Sequence, residues 1–285
     1  MTGTLYVCAT PIGNLEDMTP RAIRILKEAD LIAAEDTRNS KKLLNHFEIH
    51  TPLTSYHEYN RVEKAHALTE RLLAGENIAL ITDAGTPGIS DPGQVIVRFC
   101  LEKGIPVRGV PGASALAAAI SVSGQESKRF VFEAFLPKEK KEYRERIEAL
   151  KTEERTIVLY EAPHRLRETV KELLAVWGDR ELTLCRELTK IHEEIVLTTL
   201  SDVVSYYEDR EPRGEYVLVV CGRSREEGEE EKRSKYRDVS LTEHMAMYEE
   251  QGMDRKEAMK AVATDRGIPK REVYKGLLEE KEENE

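Results

Sequence analysis

Residues 78–93 read IALITDAGTPGISDPG, a short apolar run followed directly by a loop rich in glycine, proline and small polar residues. The run Ile78–Thr82 has the length and apolar character of a buried β-strand. Glycine lets a backbone approach a ligand closely, and proline holds that backbone in a fixed shape. Because open α/β sheets bind ligands where their strands end, this stretch predicts such a sheet with a ligand-binding loop over residues 83–93.

Loops of the same kind follow other apolar runs. They are TPIGN (10–14) after Leu5–Ala9, PGASA (111–115) after Val107–Val110, and EAPHR (161–165) after Thr156–Tyr160. One such loop alone is best explained as an ordinary tight turn, but several of them after predicted strands favour a shared binding site. The remaining predicted strands are Leu31–Ala34, Phe130–Phe135, Leu182–Arg186, Ile195–Leu200 and Tyr216–Cys221. Helical patterns between the strands indicate the α/β class.

The chain divides into four parts. A small, polar stretch at 121–127 predicts a boundary between an N-terminal α/β domain, residues 1–122, and a second α/β domain, residues 123–223. Residues 224–236 are almost wholly charged, with too little apolar surface to fold, and predict a linker.

The last part, residues 237–285, is called the C-terminal module here. It shows helical patterns at Leu241–Glu250 and Asp254–Asp265, and Gly267-Ile268-Pro269 opens a further helix. The short turn before that helix resembles a helix-turn-helix. A three-helix packing module that never meets nucleic acid has the same pattern, so both interpretations stay open.

Composition limits the function classes. A length of 285 residues with 40% hydrophobic and 34% charged residues predicts a globular, multidomain protein. The net charge of −10 argues against a protein that coats nucleic acid by bulk attraction, while leaving room for a local basic patch. We expect a cytoplasmic protein with no membrane partner, because no apolar run approaches the length of a membrane span and no basic signal-peptide flank follows Met1.

Several common motifs are missing from the sequence. It contains no GxG and no GxxxxGK[ST], so we expect a ligand that is not held by its pyrophosphate. His192-Glu193 is not followed by the second histidine of HExxH, and the four cysteines form no CxxC pair. The sequence therefore predicts no metal site and no disulfide framework.

The loops belong to a longer ordered series of motifs. The series is TPIGN (10–14), AEDTR (34–38), DAGTPGISDPG (83–93), VPGASA (110–115), EAPHR (161–165), RELTKIHEE (186–194) and GEYV (214–217). These motifs resemble the tetrapyrrole-methylase superfamily and, within it, the ribosomal RNA small subunit methyltransferase I group. The resemblance runs from about residue 3 to residue 222 and continues into the C-terminal module.

This resemblance implies a two-domain α/β homodimer that binds S-adenosylmethionine in a cleft between its domains. It also implies methyl transfer to the ribose 2′-oxygen of a cytidine in the decoding region of 16S, small-subunit ribosomal RNA, as naked RNA or in the assembled subunit. The implied cofactor contacts are Pro11, Asp83, Ala84, Gly85, Thr86, Ile89, Ser114, Ala115 and Glu161. One alternative is a superfamily methyltransferase acting on a tetrapyrrole precursor or other small substrate. The other is a nucleic-acid-binding regulator whose C-terminal module binds DNA and whose α/β part only senses S-adenosylmethionine.

The chemistry narrows the choice of catalytic residues. A sulfonium methyl donor carries its own leaving group, so the protein has to align the reactants and accept the hydroxyl proton. Candidates are Asp36, Asp91 and Lys190. Each has a structural alternative: a helix cap for Asp36, a turn residue for Asp91, and a solvated edge for Lys190.

Basic and aromatic side chains beside the motifs are candidates for contacts with RNA. We expect arginine and lysine to neutralise phosphates. His164 either stacks on a base or a ribose or is a hydrogen-bonded residue at the start of a helix after Pro163, and both interpretations stay open. The predicted RNA-binding residues are Arg38, His164, Arg165 and Arg186, together with Lys270, Arg271 and Lys275 in the C-terminal module.

Overall fold

The structure is a computed structural model that describes residues 1–283, apart from the side chains of residues 225, 229, 231–233 and 281–283. Its contacts divide the chain into two compact units. The first unit comprises Met1–Ala149 and Arg155–Cys221, and the second comprises Leu150–Glu154 and the chain from Gly222 onward.

The first unit begins with a parallel five-stranded sheet in the order β3-β2-β4-β1-β5. Its strands are β1 (Leu5–Cys8), β2 (Leu31–Ala34), β3 (Leu53–Ser55), β4 (Ile78–Ile81) and β5 (Val107–Val110). The helices between them are α1 (Pro20–Glu28), α2 (Thr37–His46), α3 (Arg61–Leu73) and α4 (Gln94–Glu102), and α5 (Ala115–Val122) follows β5. Every residue of β2 and β4 is buried, because helices cover both faces of the sheet.

The second sheet of the same unit is mixed. It contains β6 (Phe130–Phe135), β7 (Thr156–Glu161), β8 (Glu181–Arg186), β9 (Glu194–Thr199) and β10 (Tyr216–Val220) in the order β6-β7-β10-β8-β9. Strand β6 pairs with β7 in parallel, and the other neighbours are antiparallel. The helices are α6 (Lys140–Leu150), α7 (Pro163–Trp177) and α8 (Leu200–Tyr206).

The predicted α/β class is confirmed, and all of the predicted strands are present within one or two residues of their expected ends. Strand β3, a three-residue edge strand that pairs with β2, was not predicted. A strand this short has too few residues to show a pattern. The predicted boundary at residue 122 stays a prediction.

Residues 224–236 differ from the expectation. We expected a stretch without regular structure, and this was wrong, because residues Arg225–Lys235 form helix α9. Glutamate, lysine and arginine are strong helix formers, so a lack of apolar residues prevents burial but not a helical backbone. That this stretch separates two domains stays a prediction.

The C-terminal module forms three helices, α10 (Leu241–Glu249), α11 (Arg255–Arg266) and α12 (Lys270–Glu283). They pack around a small core of Met245, Ala258, Met259, Val262, Ala263 and Val273. Ser240 and Glu243 form a capping box at the start of α10, and Gly267 ends α11 with a left-handed φ of 62°. Glu280 accepts hydrogen bonds from the backbone nitrogens of Leu241 and Thr242, which ties α12 to α10.

None of the helices that the structure describes has both the length and the apolar character needed to cross a membrane.

The C-terminal module contains a buried histidine, His244, which is fully shielded from solvent and stacked on Tyr236 at 3.7 Å. Its Nδ1 accepts a hydrogen bond from Arg266 Nε at 3.2 Å, and its Nε2 lies 3.4 Å from Asp265 Oδ2. Burial, and then the charge of Arg266, lower the pKa of His244. The ring is therefore neutral in the folded module near neutral pH.

We predict that the C-terminal module is less stable at acidic pH. Below about pH 6.5 the unfolded state binds a proton at His244 more readily than the folded state does, so stability falls as the pH falls. Hydrogen–deuterium exchange of α10 to α12 in the full chain, corrected for intrinsic rates, should show more opening at acidic than at neutral pH. His244→Gln, which does not titrate, should lose this dependence, and an equal dependence in both proteins would contradict the prediction.

Candidate active site

A cavity of about 520 Å³ lies in the first unit where strands of both sheets end. The loop after β4 forms much of it, and the loops after β1, β2, β5, β7 and β8 contribute further residues. Strand β10 joins at its start, because it runs antiparallel to β7 and β8. The volume of the cavity lies within the range of small-molecule sites, about 300–1,000 Å³.

Most of the predicted cofactor contacts meet in this cavity. The lining includes Asp83, Ala84, Gly85, Thr86, Ile89, Ser114, Ala115 and Glu161. Pro11 is placed elsewhere: it borders a second, smaller cavity that also includes Asp83 in its lining. The loops that the sequence analysis singled out therefore share one site.

The floor of the cavity is fixed by backbone pairing. Thr10 and Gly85 form a β-bridge, with the Thr10 nitrogen donating to the Gly85 carbonyl at 2.8 Å and the Gly85 nitrogen donating to the Thr10 carbonyl at 3.1 Å. Thr86 Oγ1 donates to the Ala113 carbonyl at 3.1 Å, which joins the loop after β4 to the loop after β5. Gly85 has φ +83°, a conformation that glycine adopts without strain.

The second sheet supplies the facing wall. The Tyr160 hydroxyl accepts a hydrogen bond from the Leu116 nitrogen at 2.9 Å, which connects the end of β7 to the first turn of α5. Glu161 is 2% exposed and accepts hydrogen bonds from Thr169 Oγ1 at 2.6 Å and the Ala162 nitrogen at 2.9 Å. The wall is therefore held by side-chain hydrogen bonds at the end of one strand.

The cavity is strongly acidic. Its lining includes the carboxylates of Glu35, Asp83, Asp91, Glu161 and Glu215, and no lysine or arginine occurs among its described lining residues. An environment of this kind favours a ligand that carries positive charge.

Asp91 is the carboxyl group that this environment perturbs most clearly. Burial, and then the negative charges of Glu35 and Asp83, raise the pKa of Asp91 to about 7. Burial also raises the pKa of Glu35. Ser90, which precedes Asp91, has φ +70°, a strained conformation for a residue other than glycine. Asp91 thus has the proton affinity of a general base that works near neutral pH.

The structure does not bring Asp36 into the cavity. Its carboxylate caps the N-terminus of α2 by accepting from the Arg38 nitrogen at 2.8 Å, and it also accepts from the Arg38 guanidinium. Hydrogen bonds from Arg38 lower the pKa of Asp36 to about 2. The capping interpretation explains Asp36, and a carboxylate of such low basicity is unsuited to accepting a proton.

Lys190 also lies outside the lining of the cavity. Its Nζ donates to Glu187 Oε1 and to Glu215 Oε2, each at 2.8 Å. Burial lowers the pKa of Lys190, but these two hydrogen bonds outweigh it and the net shift is upward. Lys190 is therefore a cation near neutral pH, and its placement does not support a role as the base.

The predicted RNA-binding residues of the first unit have different surroundings. His164 lines the cavity and is exposed at the start of α7. Arg165 turns inward and donates to the carbonyls of Leu136 and Pro137, so its placement argues against the predicted phosphate contact. Arg186 pairs with Glu194 at 2.9 Å, and Arg38, 88% exposed at its side chain, is paired with Asp36.

Sequence reasoning missed about half of the lining. The missed residues are Ile12, Glu35, Ser90, Phe135, Tyr160, Ala162, Pro163, Leu188, Glu215, Tyr216 and Val217. Most of them lie within the quoted motifs, which gave a signal: Ile12, Glu35, Ser90, Ala162, Pro163, Leu188, Glu215, Tyr216 and Val217. Phe135 and Tyr160 lie outside these motifs and reach the cavity through the pairing of β6 with β7.

Solved structures share this fold. Uroporphyrin-III C-methyltransferase from Thermus thermophilus aligns with a TM-score of 0.55 at 21% identity, over 76% of this chain and 97% of that one. A diphthine synthase aligns with a TM-score of 0.59 at 15% identity, over 77% of this chain and 90% of that one.

Sequence comparison defines the family. Residues 4–204 match the family described as Tetrapyrrole (Corrin/Porphyrin) Methylases, and the chain belongs to this family. Relatives named Ribosomal RNA small subunit methyltransferase I include those of Bacillus subtilis, 48% identical over 95% of this chain and 93% of that protein, and Halalkalibacterium halodurans, 47% identical over the same shares. The Thermotoga maritima relative of that name is 44% identical over 78% of this chain and 99% of its own length.

Proposed function

We propose that this chain is an S-adenosylmethionine-dependent methyltransferase that methylates the ribose 2′-oxygen of a cytidine in the decoding region of small-subunit ribosomal RNA. The names of relatives that are 40% to 48% identical support the reaction and the substrate. The observation that carries the proposal is the acidic cavity, in which glycine-rich loops of the first sheet face Glu161 and Glu215 of the second.

The residues present fit this cofactor. S-adenosylmethionine supplies a methyl group on a cationic sulfonium that is its own leaving group. The carboxylates of the lining suit such a cation, and Ile12, Ile89 and Leu188 offer apolar surface for an adenine ring. The backbone of residues 84–86 would hold the cofactor from below, because its bonds to Thr10 and Ala113 fix its position.

In this proposal Asp91 accepts the proton of the ribose hydroxyl as the oxygen is methylated. It is the predicted catalytic carboxyl that lines the cavity, and its pKa of about 7 allows it both to be deprotonated and to bind a proton. Asp36 and Lys190 lack these properties, the first through its low basicity and the second through its positive charge.

The test is methylation of purified small ribosomal subunits and of naked ribosomal RNA with labelled cofactor, with a tetrapyrrole precursor as the competing substrate. We expect label on RNA, at a cytidine 2′-oxygen, with kcat rising as the pH increases through about 7 because Asp91 must lose its proton. Asp91→Asn should lower kcat by about 10²- to 10⁴-fold and remove this pH dependence. Asp36→Asn is the control and should change neither. Label on the tetrapyrrole alone would contradict the proposal.

Gly85→Val should weaken cofactor binding by about tenfold or more. A β-branched residue at φ +83° strains the loop by about 1–3 kcal/mol, and its side chain starts within the cavity lining, with the added Cβ 3.4 Å from Ile12 Cγ2. Gly88→Val is the matched control, because Gly88 has φ +82° but its Cβ would meet nothing within 4 Å. Calorimetry with S-adenosylhomocysteine measures both variants. Equal losses would show that strain, and not proximity to the ligand, is responsible.

We also propose that the chain works as a homodimer that buries the outer edge of the second sheet. Strand β9 lies at the end of that sheet, and Ile195, Val196 and Leu197 are 40%, 48% and 62% exposed. An exposed apolar edge strand offers both backbone hydrogen-bonding groups and side chains to a second copy.

Light scattering of the full chain should therefore give about twice the 32.4 kDa chain mass. Leu197→Glu should shift the mass towards the monomer, because it places a charge in the proposed interface. Leu101→Glu is the control, since Leu101 is similarly exposed, at 63%, but lies on α4. A wild-type monomer with full activity would contradict the dimer.

The C-terminal module is proposed to recognise RNA without taking part in methyl transfer. Every described residue that lines the acidic cavity precedes Cys221, whereas Lys270, Arg271 and Lys275 lie on α12. Lys275 pairs with Glu279 at 3.3 Å, and Lys270 donates to the Lys256 carbonyl at 3.2 Å. Work on ribosomal RNA would place the enzyme in the cytoplasm.

Removing residues 224–285 should raise the KM for small subunits and leave the affinity for S-adenosylhomocysteine nearly unchanged. In the full chain, replacing Lys270, Arg271 and Lys275 by glutamine together should have the same effect in weaker form, with a shallower salt dependence because phosphate contacts are lost. A truncated enzyme with the wild-type KM and salt dependence would mean that the module serves packing alone.

A further inference from the structure

A second cavity, of about 270 Å³, shares Asp83 with the acidic cavity. Its lining comprises Pro11, Gly13, Leu15, Lys42, Leu43 and Asp83. Asp83 is shared between the two cavities, so a group bound in the second one reaches the wall of the first.

This second cavity is built by two elements that converge on Asp83. The loop after β1 provides Pro11 and Gly13 and enters a short 3-10 turn at Leu15. Helix α2 provides Lys42 and Leu43, which lie one turn beyond Asn39 and share its face of the helix.

Asp83 is held in place between the cavities. The Asn39 side-chain amide donates to Asp83 Oδ2 at 3.1 Å, and the Asp36 nitrogen donates to Asp83 Oδ1 at 3.2 Å. The carboxylate is thus positioned by α2, the same helix that supplies Lys42. Its remaining acceptor sites are suited to hydroxyl donors.

The chemistry of the second cavity differs from that of the first. Pro11, Leu15 and Leu43 give it apolar surface, with Leu15 42% exposed, and Lys42 gives it a cation. The side chain of Lys190 borders the same loop, because a Cβ on Gly13 would lie 2.4 Å from Lys190 Cγ. Apolar surface for a base, a carboxylate for hydroxyls and a cation for a phosphate are the three elements of a nucleotide site.

The acidic cavity favours a separate site for the phosphate. Glu215 is paired with Lys190 and Glu161 lies 3.6 Å from Arg165, but Glu35, Asp83 and Asp91 leave an excess of carboxylates that disfavours a phosphodiester. A site beside it that carries a lysine would keep the phosphate outside while the ribose approaches Asp83.

We propose that the second cavity is the acceptor subsite, which binds one nucleotide of the RNA strand with its phosphate on Lys42 and its ribose beside Asp83. This inference rests on the proposed function, since it assigns a place to the acceptor of that same reaction. The competing occupant is part of the cofactor itself, which would put Lys42 on a carboxylate group.

The test compares Lys42→Gln with Lys41→Gln in the full-length protein. Lys41 is the neighbouring lysine on α2, it is also exposed, and its side chain leaves the helix in a different direction. We expect Lys42→Gln to raise the KM for small subunits by about tenfold and to reduce the slope of log KM against log salt by about one. Lys42→Arg should restore most of the KM. Lys41→Gln should resemble the wild type in both measurements.

Two further measurements separate the possible failures. Calorimetry with S-adenosylhomocysteine should show no change in Lys42→Gln, and a large loss there would instead assign the cavity to the cofactor. Filter binding of a small-subunit RNA fragment needs no turnover. Weaker RNA binding by Lys42→Gln, with wild-type binding by Lys41→Gln, therefore supports the subsite even if no methylation occurs. Wild-type KM and RNA affinity in Lys42→Gln would overturn the proposal, whereas absence of methylation by the wild-type enzyme would overturn the proposed function instead.

Discussion

The pairing between Thr10 and Gly85 is the constraint on which the site depends. Two backbone hydrogen bonds join the loop after β1 to the loop after β4, and the strands that carry these loops are neighbours in the sheet. In the strand order β3-β2-β4-β1-β5, the chain places β2 and β3 on one side of β1 and β5 on the other. Loops diverge at such a switch point and leave a crevice, so the topology determines where a ligand can enter.

The fixed loop after β4 also holds Asp91 where its ionisation is unfavourable. Asp91 is held beside Glu35 and Asp83 in a partly buried loop, and the raised pKa means that its ionisation opposes folding. The folded state binds the Asp91 proton more tightly than the unfolded state does. Protonated Asp91 therefore stabilises the fold at acidic pH, and this stabilisation is lost as the pH rises towards 7. The hydrogen bonds of this loop to Thr10 and Ala113 hold it in place despite the unfavourable ionisation of Asp91 and the strained backbone at Ser90.

Sequence reasoning located the floor of the cavity well and its chemistry less well. Residues 83–89 could be predicted, because glycine and proline after an apolar run indicate a loop at a strand end whatever the rest of the fold. Asp36 and Asp91 could not be distinguished, since both precede a turn or a helix. The low pKa of Asp36 has a local cause in Arg38, whereas the raised pKa of Asp91 depends on burial and on the charges of Glu35 and Asp83, which only the fold reveals. The inward contacts of Arg165 could not be predicted either, because the carbonyls that it contacts belong to the loop after β6.

The relation between the catalytic part and the C-terminal module follows from where charge lies. The carboxylate-lined cavity attracts a cation and repels phosphate, so the affinity for RNA has to come from other surfaces. The match to the Thermotoga maritima relative spans 221 residues and covers 99% of that protein. The number of residues of this chain that it leaves unmatched equals the number that follow Cys221. A protein with that name therefore exists at roughly the length of the first unit alone. In a protein of that length, the surfaces that bind RNA would have to lie beside the cavity, as Lys42 does in this chain.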